Sequence, residues 1–580
     1  MQPSGLVVSI ENYDDLISPV ITRAERENVV SRIWTKDVAL WKSEEAHQRT
    51  IRKSLGWLNA PLEISKVANE LMAFADEIRG SGEFDAVMLS GMGGSSLCPE
   101  VLRQIFGARQ GYPPFFVLDS TDPDVIAAFA KQVDVTRCLF IIASKSGTTT
   151  EPLAFYKYWY SQVAQAKPNP GDSFVAITDP ETPMVGMATE KKFRRIFLSR
   201  PDIGGRYSAF TYFGMVPAVL MGVEIKQLLE RATRMAAACS VETKIQDNPG
   251  ARLGAIMGEC GKIGRDKLTL VTDERVAALG LWIEQLVAES TGKEGKGILP
   301  VNQEPLGSPA VYNDDRLFVS ISVGEPGQET QKRLHELKSA GHPIVHRILK
   351  DSYDLGAEFF LWQFATAFAG WCLGINPFNQ PNVQESKIAT KELLEQYVKK
   401  GTLSDEKPLV SAGTLTVYAN HSHSDLPPNS VLEALRDHLA GIKIGDYIAL
   451  LVYIEQTQEI EKLLQRIRTY LRDSTKCATT IGYGPRFLHS TGQLHKGGPD
   501  TGVFLQLTAP DNLDISIPTE SYTFSILKQA QALGDFRALT SHKRRAIRVD
   551  LENNPLTGLH KLFEIMAEIS ILDDGSVANM

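Results

Sequence analysis

Ten short apolar runs, each closed by a polar or glycine-rich loop, limit the fold of this chain more than any other feature. Five come early, DAVMLSG (85–91), PFFVLD (114–119), LFIIAS (139–144), FVAITD (174–179) and RIFLS (195–199), with helical patterns between them. Three follow, LTLVTD (268–273), RLFVSISV (316–323) and PIVHRI (343–348), and two more come late, DYIALLVYI (446–454) and CATTIGY (477–483). Runs that are β-branched throughout, rather than alternating, read as strands buried on both faces, and their alternation with helices reads as parallel, doubly wound sheets. The expected class is therefore α/β, with two such sheets in three-layer αβα domains. Residues 1–60 read as an amphipathic helical segment, 61–225 as the first sheet domain and 226–400 as the second. Residues 401–430, with Pro408 and the cluster HSHSDLPPNS, read as a linker. Residues 431–510 read as an appended α/β unit completing the second domain, and 511–580 as a helical tail whose basic run SHKRRAIR is a solvated helix end.

In open α/β sheets, ligands bind outside the carboxyl ends of the strands. Two loops sit there. LSGMGGSSLCPE (89–100) places glycines 91, 93 and 94 between a strand and a helix. IIASKSGTTTEP (141–152) leaves a strand with five hydroxyl residues in seven: Ser144, Ser146, Thr148, Thr149 and Thr150. Small residues let backbone N–H groups approach a phosphate, hydroxyls add donors at adjustable angles, and a helix N-terminus favours an anion. An ordinary hydroxyl-rich helix cap wants the same side chains, so local pattern alone leaves cap and cradle about equal. GMGGSS also invites a dinucleotide reading with Asp119 as ribose acceptor, but the sixth-position glycine is replaced by Ser96. A GxxxxGK[ST] nucleotide loop and an HExxH zinc motif are both missing. His421 and His423 could pair on a metal, but a polar linker favours solvated histidines.

Formal net charge is −8, so no global basic field recruits nucleic acid or an acidic membrane. The sequence lacks an apolar stretch long enough to span a bilayer. Six cysteines without CxxC pairs suit a reducing compartment, and cytoplasmic location is expected.

Three further stretches belong with the two loops: GGRYSAFTYFG (204–214), EQLVAESTGK (284–293) and NPFNQPNVQESK (376–387). Together, in this order, the five resemble the glucose-6-phosphate isomerase family, which is built from two sugar-isomerase (SIS) domains. LWKSEEAHQRTIRKSLGWL near the start and GGPDTGVFLQLT near the end resemble the isomerase half of bacterial transaldolase/glucose-6-phosphate isomerase fusions. The resemblance implies an aldose–ketose isomerase acting on hexose phosphate without cofactor or metal, and it allows a homodimer. It implies that Gly94, Ser95, Ser144, Lys145, Ser146 and Thr149 hold the sugar phosphate. Gln285 and Glu289 match the family's Gln-x-x-x-Glu, one helical turn apart, with Glu289 the base. Arg206 would face the enediolate, and Gln380 and Lys387 match the family's Gln-(six residues)-Lys, with Lys387 assisting ring opening. The ring-opening histidine is displaced in order. FLHSTGQLHKGG (487–498) resembles the family's histidine segment, which makes His489 the candidate and His495 its competitor. Glu151 stands where the family has a glutamate near the site. A sugar-phosphate-binding regulator without chemistry, or an isomerase also accepting mannose 6-phosphate, would keep the same loops.

Overall fold

The computed structural model describes residues 6–9, 13–403, 406–419, 428–552 and 554–569. His421 and His423 lie outside them. The strands, in chain order, are β1 (Leu6–Ser9), β2 (Ala86–Gly91), β3 (Phe115–Leu118), β4 (Cys138–Ala143), β5 (Phe174–Thr178) and β6 (Arg195–Leu198). Next come β7 (Lys267–Thr272), β8 (Leu299–Val301), β9 (Arg316–Val323) and β10 (Ile344–Leu349), then β11 (Val410–Ala412) and β12 (Leu415–Ala419). The last four are β13 (Tyr447–Tyr453), β14 (Ala478–Tyr483), β15 (Gly502–Thr508) and β16 (Arg545–Asp550).

They form three sheets rather than two. The first has the order β3-β2-β4-β5-β6 and is parallel throughout. The second has the parallel order β8-β7-β9-β10, with β1 added antiparallel at the β10 edge. The third has the parallel order β14-β13-β15-β16, then β12 and β11 antiparallel. Each sheet thus repeats one winding, its first strand flanked by its second and third, so each has a switch point where loops diverge. Every residue of β2 and β4 is buried, which explains their unbroken apolar runs.

Between the first two sheets lies the helix Leu355–Leu373, whose side chains are almost all buried. It packs against the helix Pro249–Lys262 through glycines. A Cβ on Gly254 would stand 2.6 Å from the Ala365 carbonyl, and one on Gly258 would stand 2.4 Å from Cys372 Cβ. Trp57, Phe360, Trp362 and Phe364 join this shared core, and truncating Trp362 to alanine would cost about 3–5 kcal/mol.

The third sheet corrects three expectations. Residues 431–510 do not extend the second sheet. Their strands have a core of their own, including Leu450, Val452, Leu464 and Leu505. The presumed linker supplies β11 and β12, and Leu415 and Val417 point into that core. The tail supplies β16, and its basic run is not a solvated helix end: Arg544 and Arg548 are buried, with Arg544 donating to the Lys496 and Gly498 carbonyls at 2.6 and 2.7 Å. Nor is the N-terminal segment wholly helical, since β1 pairs with β10.

A buried polar network fixes the third unit on the second. Arg316 on β9 donates to Glu304 at 2.9 Å, and Glu304 Oε1 accepts from the Thr479 amide and hydroxyl on β14 at 2.9 and 2.8 Å. Arg468 donates to the Asn302 carbonyl at 3.1 Å. A buried, paired charge set tolerates few alternative geometries, so it specifies one docking orientation more than it adds stability.

Candidate active site

A cavity of about 480 Å³ opens where the loops after β2 and β4 face the helix Leu279–Thr291 of the second unit. Eleven of the twelve expected residues line it: Gly94, Ser95, Lys145, Ser146, Thr149, Arg206, Gln285, Glu289, Gln380, Lys387 and His489. The twelfth, Ser144, stands behind the wall and donates to Thr149 Oγ1 at 2.9 Å. A wider groove of about 730 Å³ adjoins it past Lys387 and His489, bordered by Leu394, Tyr522 and Leu527.

The loops are shaped by close approach. A Cβ on Gly94 would stand 2.1 Å from the Gly205 carbonyl oxygen, so only glycine lets the GMGG loop touch the GGR loop that carries Arg206. Gly93 and Gly147 hold positive φ, +55° and +66°, which other residues rarely adopt. Thr149 is the N-cap of the helix Thr150–Ala166, yet its side chain makes no capping hydrogen bond. The hydroxyls are therefore not consumed in capping, which favours the cradle. Lys145 forms an ion pair with Asp179, whose carboxyl is pushed up by burial despite that partner.

The helix Leu279–Thr291 is apolar on most faces, and Gln285 and Glu289 form its polar seam. Gln285 Nε2 donates to Glu289 Oε2 at 3.2 Å and to the His489 carbonyl at 2.8 Å. Arg206, only 3% exposed, faces Glu289 Oε1 at 3.1 Å. Its guanidinium is held from every side, donating to Ser290 Oγ (2.7 Å), Gln380 Oε1 (3.0 Å) and the carbonyls of Pro377 (2.7 Å) and Asn379 (3.1 Å). A fork so fully engaged cannot rotate away from the carboxylate. Lys387 lines the cavity from the exposed face of the helix Val383–Lys400.

His489 arrives on the turn after β14, in the third unit. Its Nε2 lies 3.0 Å from Glu151 Oε1. Burial alone would push the Glu151 carboxyl up, but the His489 imidazole and Lys387 outweigh it and hold it below the usual carboxylate range. The turn is anchored by Arg486, which donates to both oxygens of Asp119 at 2.8 and 2.7 Å. Asp119 is thus consumed by a protein arginine, which removes the dinucleotide reading. His495 packs against Phe504 and Tyr447, and burial pushes its imidazole well below its ordinary range, so it is a core residue.

Four participants escaped sequence reasoning. Asp179 and Thr182 line the cavity. Gln531, from the tail, donates to Glu151 Oε1 at 2.7 Å. Lys293 lies beneath, donating to Asn379 Oδ1 at 3.0 Å, with its ammonium pushed well down by burial and by Arg206. Lys293 ends the EQLVAESTGK stretch, and Asp179 and Thr182 lie in the loop after β5, so only Gln531 had no local signal.

The fold and site define an α/β protein in which two hydroxyl- and glycine-rich loops face a buried carboxylate across one cavity. The phosphoglucose isomerase family model matches residues 58–348, half of the chain, and the chain belongs to that family. It is 25% identical over 398 residues to the glucose-6-phosphate isomerase of Carboxydothermus hydrogenoformans, covering 59% of this chain and 85% of that one. To the enzyme of the same name from Methanocaldococcus jannaschii it is 26% identical over 355 residues, covering 55% and 87%. Among solved structures, a glucose-6-phosphate isomerase from Chlamydia trachomatis shares the fold with TM-score 0.54 and 16% identity, over 68% of this chain and 89% of that one. A hypothetical protein from Thermus thermophilus does so with TM-score 0.56 and 21% identity, over 67% and 99%.

Proposed function

We propose that this protein is a glucose-6-phosphate isomerase, interconverting D-glucose 6-phosphate and D-fructose 6-phosphate through an enediolate. One observation carries the reading: a carboxylate, Glu289, and a fixed guanidinium, Arg206, lie 3.1 Å apart on the wall of a cavity whose opposite wall is the hydroxyl cradle.

The phosphate sits among Ser95, Ser146 and Thr149, with Lys145 adding charge and Ser144 orienting Thr149. His489, paired with Glu151, gives a proton to the ring oxygen as the C1–O5 bond breaks, the C1 hydroxyl yields its proton to water and becomes the aldehyde, and Lys387 hydrogen-bonds the freed C5 oxygen. Glu289 then takes the C2 proton, made acidic by the neighbouring aldehyde, and returns it to C1. Arg206 stabilises the negative oxygen that develops between these steps and, being permanently charged, does not donate its own proton. Gln285 and Gln380 keep the carboxylate and guanidinium aligned. Because Glu289 and His489 come from one chain, the site needs no residue from a partner, whether or not the protein dimerises. Six buried cysteines suit a reducing, cytoplasmic setting, and among the described residues no helix is long and apolar enough to cross a membrane.

The test is a coupled assay on fructose 6-phosphate with chelator present. Glu289→Gln lowers kcat by about 10²–10⁴-fold, the usual worth of a positioned base. Wild-type turnover in that variant would sink the assignment. Activity on mannose 6-phosphate in the same assay sets the breadth of substrate.

A further inference from the structure

Glu151 Oε1 accepts two hydrogen bonds, one from His489 and one from Gln531. Gln531 lies on the helix Phe524–Ser541, 3% exposed, and its own Oε1 accepts from the Thr121 hydroxyl at 2.7 Å. Thr121, fully buried, belongs to the loop after β3, so the chain of bonds joins the first unit to the last. An ionised carboxylate only accepts, so the Gln531 amide must turn its NH2 toward Glu151. Its oxygen then takes the Thr121 proton. The bonds therefore run with one polarity, Thr121 to Gln531 to Glu151, with His489 donating to the same oxygen from the other side.

We propose that Gln531 is the positioning residue of the His489–Glu151 pair, fixing the carboxylate so that one ring nitrogen of His489 is bound to it and the other faces the cavity. The inference rests on the isomerase reading and adds to it a residue from the far end of the chain. A hydrogen bond donated to the charged form of an acid favours that form. Removing it raises the Glu151 carboxyl's affinity for its proton and lets the carboxylate turn, so the His489 ring is no longer held in one orientation. The other titratable groups facing Glu151 are Lys387 and, on β13, the Tyr453 phenol. Both remain when Gln531 is changed. A leucine or methionine would fill the space equally well, so packing alone does not call for an amide here.

The experiment compares wild type with Gln531→Met, Thr121→Val and Thr121→Ser. Gln531→Met lowers kcat on the cyclic sugar about tenfold with KM little changed, since one hydrogen bond to a charged group is lost. It also loosens the bond between His489 and Glu151, read as an upfield move and broadening of the imidazole N–H proton resonance. Thr121→Val shifts both in the same direction by less, and Thr121→Ser, which keeps the hydroxyl, restores them. If Gln531→Met does not fold, the two Thr121 variants decide alone. A lowered melting temperature with kcat and that resonance unmoved means a merely structural glutamine and overturns the proposal. An inactive wild type refutes the isomerase reading instead, and the imidazole N–H resonance still judges Gln531.

Discussion

Gly94→Ala is the sharpest perturbation the structure offers, because it replaces one hydrogen with a methyl group at one closed contact. The new Cβ would stand 2.1 Å from the Gly205 carbonyl oxygen and 2.2 Å from its carbon. Ordinary contact between such atoms is about 3.5 Å, so one backbone must recede by roughly 1 Å or more. Both partners are backbone, and neither can swing aside as a long side chain would. The GMGG loop continues into Ser95, which lines the cavity, and Gly205 is followed by Arg206. The displacement therefore separates the phosphate cradle from the guanidinium by about the distance that costs a well-aligned site 10²-fold. Overpacking of this kind destabilises a fold by about 1–3 kcal/mol, which leaves most of the protein folded at 25 °C. A coupled assay should show kcat lowered about 100-fold, while thermal melting shows a shift of only a few degrees. Wild-type turnover in a folded Gly94→Ala protein would refute the argument that this contact sets the cradle-to-arginine distance.

Two other predictions concern the histidine and a buried acid. Mixing His489→Ala with Glu289→Gln protein under conditions of subunit exchange restores no activity, because both residues belong to the same site of one chain; regained turnover would mean that His489 serves a neighbour. Glu284 lines a polar cavity of about 410 Å³ with Glu461, Arg468 and Arg486, and burial pushes its carboxyl up to about 7 despite the two arginines. The folded state thus holds a proton that the unfolded chain releases near its ordinary range. The contribution of Glu284 to stability is fullest below about pH 4 and falls as pH rises through 7, by about 1–3 kcal/mol. Glu284→Gln removes that slope from melting curves taken at pH 5 and pH 8, and an identical slope in both proteins would discard the argument.

The first sheet was legible, with β7, β9 and β10 of the second, because burial makes most of their strands apolar: β2 and β4 are read directly from DAVMLSG and LFIIAS, whereas β1 and the three-residue β8 were not read. The third sheet was half hidden. β13 and β14 are apolar runs of the same kind, but β12 is five residues between a proline region and a histidine-rich stretch. β16 carries Arg545 and Arg548, whose charges are neutralised by Asp446 and Glu406, brought close only by folding. Without those partners the run reads as solvated. The site divides in the same way. Loops and the Gln285–Glu289 seam are local patterns and could be read. Gln531 was not, because a lone glutamine on a helix carries no signal until Glu151 and Thr121 stand beside it. Nor did spacing alone separate His489 from His495: one meets a carboxylate and the other aromatic rings, and both contacts are distant in sequence.

The wide sequence separation of these contacts has a consequence for how the protein comes into being on the ribosome. The cradle and the base are complete once residue 289 has emerged, and each early sheet can close on its own neighbours. His489 meets Glu151 across 338 positions, and Gln531 meets Thr121 across 410. Contacts of such range are made late, since loop closure must precede any reward from them. With the proposed roles, a nascent chain halted before residue 489 would carry the cradle and the base without the group that opens the ring. Turnover would then begin only when the third sheet docks, and premature termination would leave binding without turnover of the cyclic sugar.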